Sequence, residues 1–200
     1  LSFGNVGILL NMPPSHSMLE LVDETEHGID AASVSAVLVA HVSGVRVLLA
    51  PLSPEDAEHL TGAHLHAMIA ALRASYDYVV LDTWSSYDER TLAILEVADQ
   101  VLVPTTPEIQ SIRNLAGFLR VTTLLEYPAD KLIPVLMRAD SVEAAYVQEV
   151  ERYLSKPLLW RIVSDGKRVT QSVIDGVPFV LSDPQAPVSR DVYRLARMLD

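Results

Sequence analysis

The chain has 200 residues, of which 50% are hydrophobic and 20% are charged, and its mean hydropathy is +0.24. This apolar content is enough for a sizeable core and excludes an intrinsically disordered chain. There are 15 Lys and Arg residues against 26 Asp and Glu, so the net charge of −11 opposes contact with nucleic acid, and the absence of Cys excludes disulfides and thiolate metal sites.

The first 52 residues carry no signal-peptide or membrane-span pattern. No basic region opens the chain, and Pro13 and Pro14 interrupt the first apolar run. The longest apolar stretch, 31–52, contains His41, Arg46 and a Ser-Gly turn signal, so it predicts a helix, a turn and a buried strand. The sequence begins with Leu1 instead of Met, and we therefore expect translation to have begun upstream.

The next elements begin with a strand over Val45–Ala50. Ser53 is a suitable N-cap, Pro54 suits the first helical position, and Asp56 stands three residues after the cap, as in a capping box. The apolar spacing that follows predicts one helix reaching about Ala74.

Apolar, β-branched runs alternate with amphipathic segments through the rest of the chain. The predicted strands are Tyr76–Asp82, Gln100–Thr105, Leu132–Met137 and Leu158–Ile162. The predicted helices are Glu89–Val97, Ile109–Leu125, Val142–Leu154, Arg168–Asp175 and Ser189–Leu199. Strands joined by helices of this length require right-handed crossovers, so the pattern predicts a single α/β domain with a mainly parallel sheet and helices on both faces.

Ligands of such a sheet bind beyond the carboxyl ends of its strands. Four polar, turn-prone segments occupy those positions: residues 82–86, 105–108, 137–140 and 163–166. Asp82 ends a buried strand and can hold a hydrated Mg²⁺ beside a phosphate, or it can cap the following helix. The segment 105–111 can sense a phosphate or line an interface, but an ordinary helix start is favoured, with Thr106 as cap and Pro107 in the first turn.

Other catalytic and metal-binding patterns are missing from the sequence. His59, His64 and His66 do not share one helix face with a carboxylate partner, so a metal site there is not expected. No serine stands in a G-x-S-x-G elbow, and none of the eight glycines belongs to a G-x-x-x-x-G-K-[ST] or G-x-G-x-x-G loop.

Two segments resemble the MinD/ParA family of P-loop ATPases. They are Tyr76–Thr83, with its apolar run ending in Asp82, and Ala98–Ile109, with the run Val-Leu-Val-Pro-Thr-Thr-Pro-Glu. Residues 43–55, 137–141 and 187–190 are similar to the CpaE/TadZ branch, which is linked to pilus assembly and polar localisation. The resemblance covers essentially all 200 residues and implies a P-loop NTPase-like fold.

The resemblance also implies ATP and Mg²⁺ as cofactors of the full-length protein. Asp82 matches the Walker B aspartate, which contacts Mg²⁺ through water, and Thr83 begins the switch II segment. Met137 and Arg138 match the base-binding segment, where the family has an asparagine in place of Met137, and a thioether cannot both donate and accept as that amide does. Ser164 and Asp165 match the segment on the other side of the base.

Residues 1–6 resemble the stretch that follows the family's second strand. The deviant Walker A loop and roughly 40 residues of βαβ structure would then precede Leu1, and without them two buried strand edges would lack partners. We therefore expect an N-terminally truncated ATPase domain, inactive by itself, from a longer chain, unless another segment or chain pairs with the edges.

The resemblance implies that the full-length protein hydrolyses ATP to control the localisation or assembly of a membrane machine. Its expected partners are a second copy in a homodimer and pilus, secretion or division proteins, with no nucleic acid. The expected location is the cytoplasm, with peripheral membrane association through partners. A degenerate, non-enzymatic module for protein–protein contacts is the alternative, and an unrelated flavodoxin- or receiver-like domain is a third.

Overall fold

A computed structural model describes residues 4–22, 28–51 and 53–199 of the chain. The chain divides into two compact units. The first contains the residues up to Ala98 together with Val173–Val177, and the second contains Asp99–Ser172 and the residues from Pro178 onward. Among the described residues, the first unit has one apolar cluster and the second unit has two.

The first unit is mainly helical. Its elements are α1 (Val6–Leu9), a 3-10 turn (Met18–Leu21), α2 (Ala31–Val37), β1 (Val39–Ala40), β2 (Arg46–Val47), α3 (Pro54–Ala57), α4 (Gly62–Arg73) and α5 (Glu89–Val97). Its core collects side chains from α2, α4, α5 and the 3-10 turn, with Leu21 and Met68 among the most deeply buried. Helix α5 has the predicted bounds.

The predicted strand Val45–Ala50 is wrong in extent. Only β2 forms, and it pairs antiparallel with β1. The reason is a tight turn between them: Gly44 has a φ of +90°, its N–H donates to the carbonyl of His41, and the His41 N–H donates to the carbonyl of Val45. The segment between β1 and β2 is therefore too short for the crossover connection that a parallel pair of strands needs.

The single helix predicted as far as Ala74 is also wrong, because the chain forms two helices. Ser53 caps α3 as predicted, its Oγ accepting from the N–H of Asp56 at 3.1 Å. A second cap then restarts the chain at α4. The Thr61 hydroxyl accepts from the His64 N–H at 3.2 Å, and His64 Nδ1 accepts from the Thr61 N–H at 3.3 Å.

The predicted strand Tyr76–Asp82 is not part of a β-ladder formed by the described residues. Its side chains nevertheless alternate as in a strand: Val79 and Leu81 are half-buried, while Tyr78 is 61% and Val80 is 92% exposed. An apolar run becomes a strand only when a neighbouring strand accepts its backbone hydrogen bonds. No described residue supplies that neighbour.

The second unit contains a parallel sheet. Its elements are β3 (Val101–Thr105), α6 (Ile109–Leu124), β4 (Leu132–Met137), α7 (Ala144–Leu154), β5 (Trp160–Ile162), α8 (Gly166–Asp175, as far as Ser172 in this unit), α9 (Phe179–Ser182) and α10 (Pro187–Met198). Two 3-10 turns, Ala129–Lys131 and Ala139–Ser141, flank β4. The described strands run in the order β3-β4-β5, all parallel, with Leu102 opposite Ile133 and Val135 opposite Trp160. These elements follow the predicted ones closely, apart from a shorter β5 and from α9 and the two 3-10 turns, which have no predicted counterpart.

Helices cover both faces of this sheet. Leu136 of β4 is buried in a cluster with Ile112 of α6 and Val147 of α7. The preceding residue, Val135, is buried in another cluster with Leu195 of α10. Neighbouring residues of a strand point to opposite faces, so α6 and α7 lie on one face and α10 on the other. The predicted α/β fold, with a parallel sheet and helices on both faces, is confirmed.

Two adjacent leucines test this burial. Leu158 is fully buried and Leu159 is 74% exposed. We expect Leu158→Ala to lower the free energy of unfolding by about 2–5 kcal/mol, because it leaves a cavity in the cluster against α6 and α7. The control Leu159→Ala should change it by less than about 0.5 kcal/mol. Urea denaturation measures both, and equal losses would contradict the packing.

Candidate functional site

The candidate site begins at the carboxyl end of β4. Met137 ends the strand, and Arg138 follows with a φ of +52°, in the left-handed region. This conformation costs a non-glycine residue about 1–3 kcal/mol. The Arg138 carbonyl accepts from both the N–H and the hydroxyl of Ser141, at 3.0 and 2.7 Å, and these bonds help to offset that cost.

An ion pair joins the ends of β3 and β4. Arg138 Nη2 lies 2.6 Å from Glu108 Oε1, and both side chains are half-exposed. The Thr106 hydroxyl, the N–H of Glu108 itself and the Arg138 guanidinium hold the pKa of Glu108 below its ordinary value, with the hydroxyl contributing most. Glu108 is therefore ionised at neutral pH, and the pair is fully charged.

The loop between β3 and α6 does not start the helix as expected. Glu108, not Thr106, occupies the N-cap position, and its side chain caps nothing. Thr106 instead donates its N–H to Ser111 Oγ at 3.0 Å. The Tyr146 hydroxyl of α7 donates to the carbonyl of Pro107 at 2.6 Å and holds the loop from the other side. The expected helix start, with Thr106 as cap and Pro107 in the first turn, is therefore wrong.

Carboxylates from two other elements accept the first backbone N–H groups beyond β5. The Val163 N–H donates to Asp191 Oδ2 of α10 at 3.2 Å, and the Ser164 N–H donates to Asp140 Oδ1 at 2.6 Å. The hydrogen bond from the Ser164 N–H is the largest of the effects that hold the pKa of Asp140 below its ordinary value of 3.8. The loop after β5 is thus tied both to α10 and to the turn after β4.

Asp165 extends this arrangement. Its Oδ1 accepts from the N–H of Arg168 at 3.0 Å, and its Oδ2 lies 3.2 Å from Arg168 Nε. The other end of the guanidinium reaches the segment after α9, where Arg168 Nη1 lies 3.2 Å from Asp183 Oδ2. Both oxygens of the Asp165 carboxylate therefore contact Arg168, and they hold the first turn of α8.

The Met137 side chain is half-buried and packs against the cluster that contains Val135, Ile162 and Leu195. Its thioether contributes to the core and offers no donor toward the edge of a nucleobase. The residue present here does not fit the amide-based reading of adenine that the family resemblance implies.

Asp82 and Thr83 lie in the first unit, and both are exposed. A carboxylate and a hydroxyl are oxygen donors, which suit the partly hydrated coordination of Mg²⁺. The alternative role of Asp82 as a helix cap is wrong, because Asp88 caps α5 and its Oδ1 accepts from the Thr91 N–H at 2.8 Å. The donor set at Asp82 fits the magnesium ion.

The structure thus brings Met137, Arg138, Ser164 and Asp165 together at the β4 and β5 ends of the second unit. The contacts made by Asp140, Arg168, Asp183 and Asp191 could not be predicted from the sequence, because no local motif marks these residues. No group of three or more His, Asp or Glu residues within the described ranges could hold a metal ion by itself. No helix in the described part of the chain is long and apolar enough to cross a membrane.

Solved structures similar to this chain show its fold. A ParA family ATPase from Chlorobium tepidum matches 97% of this chain with a TM-score of 0.88 at 21% identity, over 81% of its own length. The septum site-determining protein MinD from Pyrococcus horikoshii, complexed with Mg-ADP, matches 99% with a TM-score of 0.77 at 16% identity, over 79% of its length. The chain has the MinD/ParA ATPase fold.

Sequence relatives agree with this assignment, although no family model matches the chain. A putative MinD from Mesostigma viride is 30% identical over 142 residues, which are 68% of this chain and 48% of that protein. MinD from Bacillus subtilis is 27% identical over 139 residues, 66% of this chain and 50% of that protein. The MinD/ParA-like chain therefore has homologues among these ATPases, and it spans about half the length of such curated relatives.

The bond between Asp140 and Ser164 can be followed by pH titration. A carboxylate with a lowered pKa contributes stability above its unfolded-state pKa and loses it as the pH falls through the folded-state value. We expect the NMR signals of the Asp140 carboxyl and the Ser164 amide proton to titrate together, with a midpoint below 3.8. Asp140→Asn should abolish the Ser164 transition, and a midpoint above 3.8 would contradict the bond.

Proposed function

We propose that this chain is the carboxyl-terminal part of a MinD/CpaE-like ATPase. In the full-length protein, ATP hydrolysis controls where a membrane machine is localised or assembled. The observation that carries the proposal is the α/β fold shared with MinD and ParA structures, one of which is complexed with Mg-ADP. The chain spans about half the length of these curated relatives, so ATP hydrolysis is proposed for the full-length protein.

Two sets of residues would contribute to nucleotide binding in that protein. Asp82 would contact Mg²⁺ through water, with Thr83 beside it, and their exposed oxygen donors support this role. Arg138, Ser164 and Asp165 would line the base side, at the ends of β4 and β5. Met137 packs into the core, so the base would be read by groups other than an amide at this position.

The expected phosphate-binding residues are not in this sequence, because none of its eight glycines belongs to a G-x-x-x-x-G-K-[ST] loop. We therefore propose that the 200-residue chain alone does not hydrolyse ATP. The segment Tyr76–Asp82 supports pairing with a further strand, because its side chains alternate between half-buried and exposed as in a strand and Val80 is 92% exposed.

The proposed partners follow from the same comparison. A MinC:MinD complex is among the solved structures with this fold, matching 98% of this chain with a TM-score of 0.74. We propose a homodimer of the full-length protein in the cytoplasm, with pilus, secretion or division proteins as partners that bring it to the membrane. The pilus role rests on the residues that resemble the CpaE/TadZ branch.

A degenerate, non-enzymatic scaffold is the second candidate. Two observations favour it. Met137 packs into the core in place of an adenine-reading amide, and Trp84, which is 62% exposed, stands in the segment after Asp82 where the resembled family usually has one or two prolines. ATP–Mg²⁺ affinity of the full-length gene product separates the candidates. Measurable affinity supports the ATPase, and its absence supports the scaffold.

Asp82→Asn tests the magnesium role in the full-length protein. We expect ATP hydrolysis to fall about 10–100-fold, as for other residues that act on a metal through water. Asp77→Asn, which alters another exposed carboxylate of the same segment, is the control and should retain activity. A colorimetric phosphate assay measures both, and equal activities of the two variants would overturn the role of Asp82.

A further inference from the structure

Asp140 connects two loops of the candidate site. It lies in the 3-10 turn Ala139–Ser141 that follows β4, and its Oδ1 accepts the Ser164 N–H at 2.6 Å. The two residues are 24 positions apart in the sequence. The bond therefore ties the loop after β5 to the loop after β4.

Both partners of this bond are exposed. Water could satisfy an exposed backbone N–H, so the carboxylate is not required to avoid a buried unpaired donor. A charged acceptor makes a shorter and stronger bond than a neutral one. What the carboxylate adds at this position is a fixed orientation of the Ser164 backbone.

The other contacts of the loop hold it to different parts of the unit. Asp191 accepts the Val163 N–H from α10, and the Asp165–Arg168–Asp183 contacts hold the start of α8 to the segment after α9. These contacts do not reach the loop after β4. Among the side-chain contacts named here, the Asp140 bond joins the loop after β5 to the loop after β4, beyond the last ladder pair Met137–Ile162.

We propose that Asp140 is a positioning residue that holds the Ser164–Asp165 loop in the conformation that contacts a nucleotide base. This inference rests on the proposed function, because the base must bind between the loops after β4 and β5. Asp140 acts through the Ser164 backbone. Its loss should therefore weaken contacts with the base and leave contacts with the phosphates unchanged.

Hydrogen exchange of the full-length protein in the absence of nucleotide tests the positioning. In Asp140→Ala the Ser164 amide should exchange about tenfold faster, since a hydrogen bond to a charged group is lost. Asp140→Asn keeps an acceptor oxygen and should retain most of the protection. Asp130→Ala, at another exposed carboxylate in a 3-10 turn, is the matched control. Equal exchange of Ser164 in the wild type and Asp140→Ala would overturn the proposal.

Ligand binding to the full-length protein tests the role in base contact. Isothermal titration with Mg²⁺ compares ATP with inorganic tripolyphosphate, which has the phosphates and no base. Asp140→Ala should bind ATP about tenfold more weakly and tripolyphosphate with unchanged affinity, and Asp140→Asn should restore ATP binding. General structural damage would weaken the binding of both ligands. An equal loss of affinity for ATP and tripolyphosphate, or no loss of affinity for ATP, therefore overturns the proposal.

The two experiments separate this inference from the proposed function. If the wild-type protein binds neither ATP nor tripolyphosphate, both the proposed ATPase function and the role of Asp140 in base contact are overturned. The exchange rate of Ser164 still decides in that case whether Asp140 holds the loop.

Discussion

The candidate site of the second unit depends on where the backbone N–H groups beyond β5 find acceptors. Beyond its last ladder residue a parallel strand no longer has a neighbour for its N–H groups, and each of them needs another partner. Here the Val163 and Ser164 N–H groups donate to Asp191 and Asp140. Carboxylates from α10 and from the turn after β4 thereby fix the path of one loop. Two of the carboxylates that contribute to the chain's net charge of −11 therefore make hydrogen bonds within the chain itself.

The same constraint determines which groups are left to recognise a ligand. Asp165 is occupied by the first turn of α8, and Met137 by the core. Arg138 is paired with Glu108 and held in the left-handed region, where the backbone itself is strained. A base bound at these strand ends would meet backbone groups held by charged side chains. Recognition of a base by backbone groups would differ from recognition by one amide side chain. The MinD/ParA ATPase fold is the same in either case.

The second unit could be predicted from sequence more closely than the first. Strand β4 and helix α6 are marked by long apolar or amphipathic patterns, and the parallel ladder forms because β3, β4 and β5 are all within the chain. In the first unit the run Tyr76–Asp82 has the pattern of a strand, but no described residue supplies its ladder partner. The restart of the helix at Thr61 was missed because His64 completes the capping box in place of the usual Glu or Gln.

By itself, the sequence determined the alternation of strands and helices, the α/β class and the segments beyond the strand ends, because these follow from local patterns of apolar and turn-forming residues. It also marked Asp82, Met137 and Ser164 through a family resemblance. Only the tertiary structure decided which N–H each carboxylate accepts and that Met137 belongs to the core. Asp140 with Ser164 and Asp191 with Val163 are 24 and 28 residues apart, so these bonds depend on strand register and helix packing. No local pattern encodes such long-range geometry.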